Sequence, residues 1–201
     1  MALSDLLKPR LCELGKIKIG GLGESRTSRS GGTYRMPRKD DHFTVTTLNR
    51  ALNGDLIPDA GLMKELLADY GDPDGKLRQL PIVVLSDEIS DVMQCAWLWY
   101  GGKKCWGKSD GERVTWLGDP KAMKPLEHPI EEAWRAEYAD LKTPKGDPLF
   151  KLHTTFNCVI ASKDSRWGGV YKLRTTSRIT GEQLYGSLLH IGSLTGGYLQ
   201  G

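Results

Sequence analysis

The spacing of apolar residues changes several times along this chain, and each change marks an element. Lys16-Ile17-Lys18-Ile19 alternates charged and apolar positions with a period of two, as a half-buried strand does, and Gly20-Gly21-Leu22-Gly23 breaks the pattern. From Glu24 onward almost nothing is apolar until Tyr34, so residues 24–39 read as a flexible basic loop or arm. The run His42-Phe43-Thr44-Val45-Thr46-Thr47 predicts a strand that pairs with the first across that loop. Leu62, Met63, Leu66, Leu67 and Tyr70 recur at three and four residues, which gives a core-facing helix capped by Asp59 and ended by Gly71.

Farther on, residues 80–85 read as a buried strand, and residues 95–117 as a three-stranded meander turning at Gly101-Gly102 and Asp110-Gly111. Ile130, Ala133, Trp134, Glu137, Tyr138 and Leu141 have helical spacing and predict a second amphipathic helix. Residues 149–161 and 169–176 look like a strand pair around a basic turn. Thr180 with Gln183 then reads as the capping box of a last helix through Leu184, Leu188, Ile191 and Leu194, stopped by Gly196-Gly197. Strands outnumber helices and are not interleaved with them one for one. The expectation is an α+β fold: one domain over residues 1–201, on a mostly antiparallel sheet with about three helices and a basic N-terminal loop or arm.

Composition narrows the class. In 201 residues, 39% hydrophobic and 26% charged, there is enough apolar content to bury a core, which excludes a wholly disordered chain. No apolar run approaches the roughly 18 residues of a membrane span, and the first residues lack the basic start and apolar stretch of a leader, so a cytoplasmic protein is expected. Cys12, Cys95, Cys105 and Cys158 lie far apart, which predicts free thiols in place of a disulfide framework.

Charge is unevenly placed. Residues 8–39 carry nine Lys and Arg against Glu13 and Glu24, a local +7 in a chain of net +3. Such a stretch suits a polyanion, because each neutralised phosphate releases counterions and adds affinity without reading sequence. Arg26, Arg29, Arg35, Arg38 and Lys39 are its candidate DNA contacts. Cations also interleave with aromatics twice, a pattern that suits single-stranded nucleic acid through stacking and phosphate pairing. Lys103 and Lys104 lie beside Trp97, Trp99, Tyr100, Trp106 and Trp116. Arg166, Trp167, Lys172, Arg174 and Arg178 lie around Tyr171. Alternation in a central strand marks Trp97 and Trp99 as core residues, while Lys172 and Arg174 share one strand face opposite Tyr171 and Leu173.

Two motifs point to other chemistry. Gly102-Lys103-Lys104-Cys105-Trp106-Gly107-Lys108-Ser109 matches the phosphate-binding G-x-x-x-x-G-K-[ST] letter for letter, which would make the protein a nucleotide hydrolase. That motif must open a helix, whereas Ser109 here runs into Asp110-Gly111 and the strand-like Val114-Thr115-Trp116-Leu117, so a hairpin is expected. The cysteines and histidines show no C-x-x-C or H-x-x-x-H spacing, and His153 and Cys158, five apart on one strand, fall on opposite faces. No metal, cofactor or catalytic residue is assigned, and no enzymatic activity is expected.

Several segments together resemble a known family. They are Lys16-Ile17-Lys18-Ile19-Gly20, Asp41-His42-Phe43, Leu80-Pro81-Ile82, residues 100–111, residues 168–177 and Leu194-Thr195-Gly196-Gly197. Over most of its length the chain is similar to the phage and mobile-element family named for the recombination directionality factors of large serine integrases. The resemblance implies a non-enzymatic accessory protein of DNA recombination in the bacterial host cytoplasm, docking on a recombinase, on DNA or on both. It also implies a chain cut short at its C-terminus, since family members continue into another strand. The alternative is a single-strand annealing protein that forms homo-oligomers along DNA.

Overall fold

The computed structural model describes residues 12–28, 31–102, 104–162 and 169–200. In chain order its strands are β1 (Cys12–Lys18), β2 (Gly21–Thr27), β3 (Thr33–Arg38), β4 (Thr44–Arg50), β5 (Leu56–Pro58) and β6 (Ile82–Val83). These are followed by β7 (Met93–Gly101), β8 (Lys104–Ser109), β9 (Arg113–Asp119), β10 (Lys124–Ala133), β11 (Lys151–Ile160) and β12 (Gly169–Thr175). The helices are α1 (Ala60–Tyr70), the single turn α2 (Ile89–Val92) and α3 (Arg178–Leu194), with a 3-10 turn at Ala136–Asp140. Strand outweighs helix, 46% against 21%, and the pairing is mostly antiparallel, which makes the fold α+β. Among the described residues no helix is long and apolar enough to cross a membrane.

The chain forms two compact units. The first comprises Met1–Asp87, Asn157–Leu173 and Leu199–Gly201; the second comprises Glu88–Phe156 and Arg174–Tyr198.

In the first unit β1 lies between β12, to which it is parallel, and β4, to which it is antiparallel, and β5 follows β4. The β1–β4 pairing is the one expected from the alternation in β1, with Ile17 opposite Val45, both buried. Gly15 is what allows β1 to sit there: a Cβ would overlap the Thr46 carbonyl oxygen and press on the Tyr171 ring, so only hydrogen fits. Helix α1 starts where expected. The Asp59 side chain accepts from the Leu62 N–H at 3.2 Å, Leu66 is fully buried, and Met63 Sδ accepts from the Val45 N–H. Residues 80–85 were expected to form one strand, yet only Ile82 and Val83 pair, with Ile160 and Val159 of β11. Pro81 has no N–H to give, and its carbonyl takes the Ala161 N–H at 3.0 Å instead. Cys158 on β11 is completely buried, and burial pushes its thiol up to about 12. The Asp87 carboxylate accepts the N–H groups of Leu199 and Gln200, which fastens the last described residues to this unit.

Residues 24–39 are a correction to the expected flexible loop or arm. Among the described residues, 24–27 and 33–38 lie in β2 and β3, which pair with each other as a two-stranded antiparallel ribbon. Composition hid this because the apolar alternation is short, Tyr34-Arg35-Met36, and follows a run of Ser, Arg and Gly. Its order comes from the backbone ladder, and Ser28 Oγ accepts from the Gly32 N–H at 3.0 Å.

In the second unit β7, β8, β9 and β10 form an antiparallel meander, and the first half of β11 pairs with the other side of β7. The expected turns are both present, and β10 extends the meander by a fourth strand. The expected helix over residues 130–141 is overturned. Ile130 to Ala133 lie in β10 opposite Trp116 to Arg113, and only Ala136–Asp140 turn helically. The apolar stripe is satisfied by packing instead: Trp134 stacks on Trp97 at 5.9 Å and Tyr138 meets Trp116 edge-on at 5.2 Å. Beginning three residues before the predicted capping box, α3 has Ser177 as its N-cap, whose Oγ accepts from the Thr180 N–H, so Thr180 lies within the first turn.

Because the Gly15 clash is with backbone, Gly15→Ala is expected to lower unfolding stability by about 2 kcal/mol or more. Gly21→Ala, where a Cβ meets nothing within 4 Å, should change it by less than about 0.5 kcal/mol, and urea unfolding of the two variants measures the contrast.

Candidate functional site

The β2–β3 ribbon leaves β1 at Gly20, whose φ of +110° and contact with the Arg38 backbone both require a residue without Cβ. Across the ribbon Arg26 is opposite Tyr34, Ser25 opposite Arg35 and Thr27 opposite Thr33, with a bulge at Gly23-Glu24. Side chains two apart share a face, so Tyr34, Met36 and Arg38 stand with Arg26, while Arg35 points the other way.

The two faces have different fates. Arg35 donates from Nε to the Gly23 carbonyl at 2.8 Å and from Nη1 to Asp55 at 3.2 Å. Asp55 is itself held by Asn53, whose side-chain amide donates to the Asp55 carboxylate while its carbonyl oxygen accepts the Asp55 N–H. That face is tied to the β4–β5 turn. On the opposite face Arg26, Tyr34, Met36 and Arg38 are all exposed, Tyr34 by 47% and Met36 by 50%, and Arg26 Nη1 lies 3.7 Å from Met36 Sδ. Arg38 makes a two-point pair with Asp40 at 2.8 and 3.0 Å, which holds the Asp40 carboxyl below its ordinary range. Just beyond, the Asp41 carboxylate gathers Lys76, Arg78 and His42 and is held far below the usual range, chiefly by the Lys76 hydrogen bond and then by that of His42.

The other predicted contacts divide by unit. Lys39 is exposed just past β3, and Lys172, on β12, has a side chain 27% exposed and paired with Glu13 at 2.8 Å. In the second unit Lys104 is exposed on β8, Arg174 is exposed at the end of β12, and Arg178 bridges Glu182 one turn along α3 at 2.7 Å. Arg29, Lys103, Arg166 and Trp167 lie outside the described residues. The structure thus brings Arg26 and Arg38 onto one face and turns Arg35 away from them. It adds Tyr34 and Met36, which the sequence reading did not assign. Their signal was the alternation Tyr34-Arg35-Met36-Pro37-Arg38, passed over because the preceding Ser, Arg and Gly residues read as a loop.

The meander tryptophans serve a different purpose. Trp99 and Trp116 are buried with Val114, Tyr138, Leu149 and Phe150, and Trp97, Trp106 and Trp134 pack around them in mostly edge-on contacts. A polar clasp closes this cluster. Glu132 accepts from Trp116 Nε1 at 2.8 Å and from the Tyr138 hydroxyl, which in turn accepts from Arg135 Nε at 2.6 Å. These bonds, the Tyr138 one foremost, hold the Glu132 carboxyl below its ordinary range. Trp99 and Trp116 thus belong to the core, while Tyr100, near the end of β7, is exposed.

The letters of the phosphate-binding motif fall along the β7–β8 hairpin and β8. Gly107 is pressed against Phe150 and Trp99, and Ser109 is buried with its Oγ accepting the Gly111 N–H at 3.0 Å. Asp110 then turns the chain into β9 by accepting from the N–H groups of Glu112 and Arg113. No helix follows Ser109, so the expected hairpin is present. Among the described residues no three His, Cys, Asp or Glu side chains gather as metal ligands, and the four cysteines are free.

Comparison with families decides the chain's kinship, because the model of the Gp3-like, recombination directionality factor-like family matches residues 14–201. The chain belongs to this family. That span includes the ribbon, the aromatic core and α3. Membership points to an accessory role in recombination of the phage type. No curated protein and no solved structure matches the chain.

The clasp carries a pH dependence of known sign. A carboxyl whose folded pKa is depressed contributes stability above its ordinary pKa and loses it as pH falls through the folded value. Glu132→Gln is therefore expected to melt below the unmodified protein at neutral pH and to converge with it in acid, as melting temperatures between pH 7 and about pH 3 would show.

Proposed function

We propose that this protein is an accessory factor of phage-type recombination that binds a recombinase, DNA or their complex and performs no chemistry of its own. The observation that carries the reading is the family match over residues 14–201. The ribbon supports it by offering a surface of cations, a ring and a thioether held out from the sheet. The burial of Ser109 and the strand beyond it support the absence of nucleotide chemistry, since a P-loop needs its hydroxyl free and a helix N-terminus under the phosphates. The annealing alternative gains no support from the meander, whose tryptophans are packed inward. The protein acts in the cytoplasm of a bacterial host.

Adding the purified protein to its element's recombinase is expected to change which pairs of attachment sites recombine, with no requirement for ATP. Lys108→Ala should leave that effect intact. The reading fails if site choice is unaltered, or if the unmodified protein binds single strands tightly and cooperatively; ATP hydrolysis lost in Lys108→Ala would make it a nucleotide hydrolase.

A further inference from the structure

The sheet of the second unit has two unlike faces. Trp97 and Trp99 of β7 stand on the side of the aromatic core, and so do Leu152 and Thr154 of β11, against which Gly181 of α3 is packed. The intervening residues point the other way. There Lys151 of β11, Leu98 of β7, Lys108 of β8 and Thr115 of β9 form one row across four strands, and Thr115 Oγ1 donates to Glu131 of β10 at 3.4 Å. Both lysines are exposed and Leu98 is half-buried, so this face is open.

Two rings lean over the row. His153 is opposite Ala96, four residues from Tyr100 along β7, which in an extended strand is about 13 Å. Their ring centroids are nevertheless 5.7 Å apart, at an interplanar angle of 53°, so both side chains reach inward above Leu98. Tyr100 remains 48% exposed there. Burial, and then the neighbouring Lys151, lower the His153 pKa, which keeps both rings neutral around pH 7.

The chemistry of this face selects its occupant. An exposed ring beside a cation suits an unpaired base and its phosphate, because every base has a face to stack and every nucleotide a charge to neutralise. A protein partner fits less well, since lysine is depleted in protein interfaces and the face is flat. A duplex fits less well too, because its bases are already stacked on one another and cannot reach a ring in the sheet surface. Among the described residues Lys151 has no carboxylate partner, so a phosphate has no ion pair to displace. Four strands at a spacing of about 4.8 Å give room for two or three nucleotides, and the Glu131 charge ends the platform at β10.

We infer that the open face around Tyr100, His153 and Lys151 binds a short stretch of single-stranded DNA, one base stacking on Tyr100 and a neighbouring phosphate meeting Lys151. This rests on the accessory-factor reading above and gives it a contact with unpaired DNA. Lys108, on the other flank of Leu98, adds positive potential without being part of the contact. A platform for two or three nucleotides holds one short segment, so binding is weak and non-cooperative, unlike the growth of an annealing protein along DNA.

Fluorescence anisotropy tests this with labelled single strands of six and twenty nucleotides, the twenty-nucleotide duplex and an RNA hexamer of the same sequence. The hexamer of DNA is expected to bind with one-to-one saturation and more tightly than the duplex. Tyr100→Ala should weaken that binding at least about fivefold, and Tyr100→Phe, which keeps the ring, less than about twofold. Lys151→Ala should lower the slope of log affinity against log salt by about 0.7. Melting temperatures should stay within about 2 °C, because Tyr100 and Lys151 are exposed. Unchanged hexamer binding in Tyr100→Ala overturns the inference, and so does a preference for duplex or RNA or an unmodified protein that binds no single strand. In each of these cases an intact effect on site choice leaves the accessory reading standing. Hexamer binding as expected with site choice unaltered keeps the contact and removes that reading, and tight binding that grows cooperatively with strand length overturns both.

Discussion

The lack of a Cβ at Gly20 governs the part of this molecule that faces outward. Just past the end of β1 the chain turns with φ +110° at Gly20 and passes against the carbonyl of Arg38. Any side chain there would force the two roots of the ribbon apart, and the Arg38–Asp40 pair and the cross-strand ladder would lose their alignment together. Gly15 plays the corresponding part inside the sheet, where it lets β1 lie close between β4 and the Tyr171 ring. Within seven residues, β1 is thus fitted first into the sheet and then out of it.

Where the chain has a buried face, its elements were legible in the sequence. α1, the meander, β1 with β4, and the last helix all carry an apolar period that matches their surroundings, and all were expected. Two errors have different origins. Residues 130–141 have helical spacing, yet β9 offers Trp116 and Val114 as strand partners and Glu132 gains two hydrogen bonds by accepting them, so tertiary pairing overrides the local period. The ribbon's alternation, Tyr34-Arg35-Met36, is short and follows Ser, Arg and Gly residues, so a pattern search built on burial reads it as a loop. The hairpin under the phosphate-motif letters was legible, because the Asp110-Gly111 turn was visible in the same stretch.

Charge counting gave a true number and an incomplete picture. The excess of +7 in residues 8–39 is real, but part of it is matched: Arg35 by Asp55 of the β4–β5 turn and Arg38 by Asp40 two residues on. In the same way Lys172 is answered by Glu13, and Arg178 by Glu182. A tally along the chain cannot see partners brought in by folding. Exposed pairs of this kind add little stability, and their effect is to aim side chains, which is how Arg35 comes to mark one face of the ribbon and leave the other open.

The strand at the far side of the meander has a consequence for how this protein behaves at high concentration. β10 is an outer strand, exposed along nearly all its length, and it would be an inviting template for another chain's backbone. Pro125 and Pro129 remove two of its donors, and its register slips between Pro125 and Ile130. A growing stack of sheets, the first step toward fibres, would meet missing hydrogen bonds at this margin. Pairing by a further strand at this margin would therefore be incomplete.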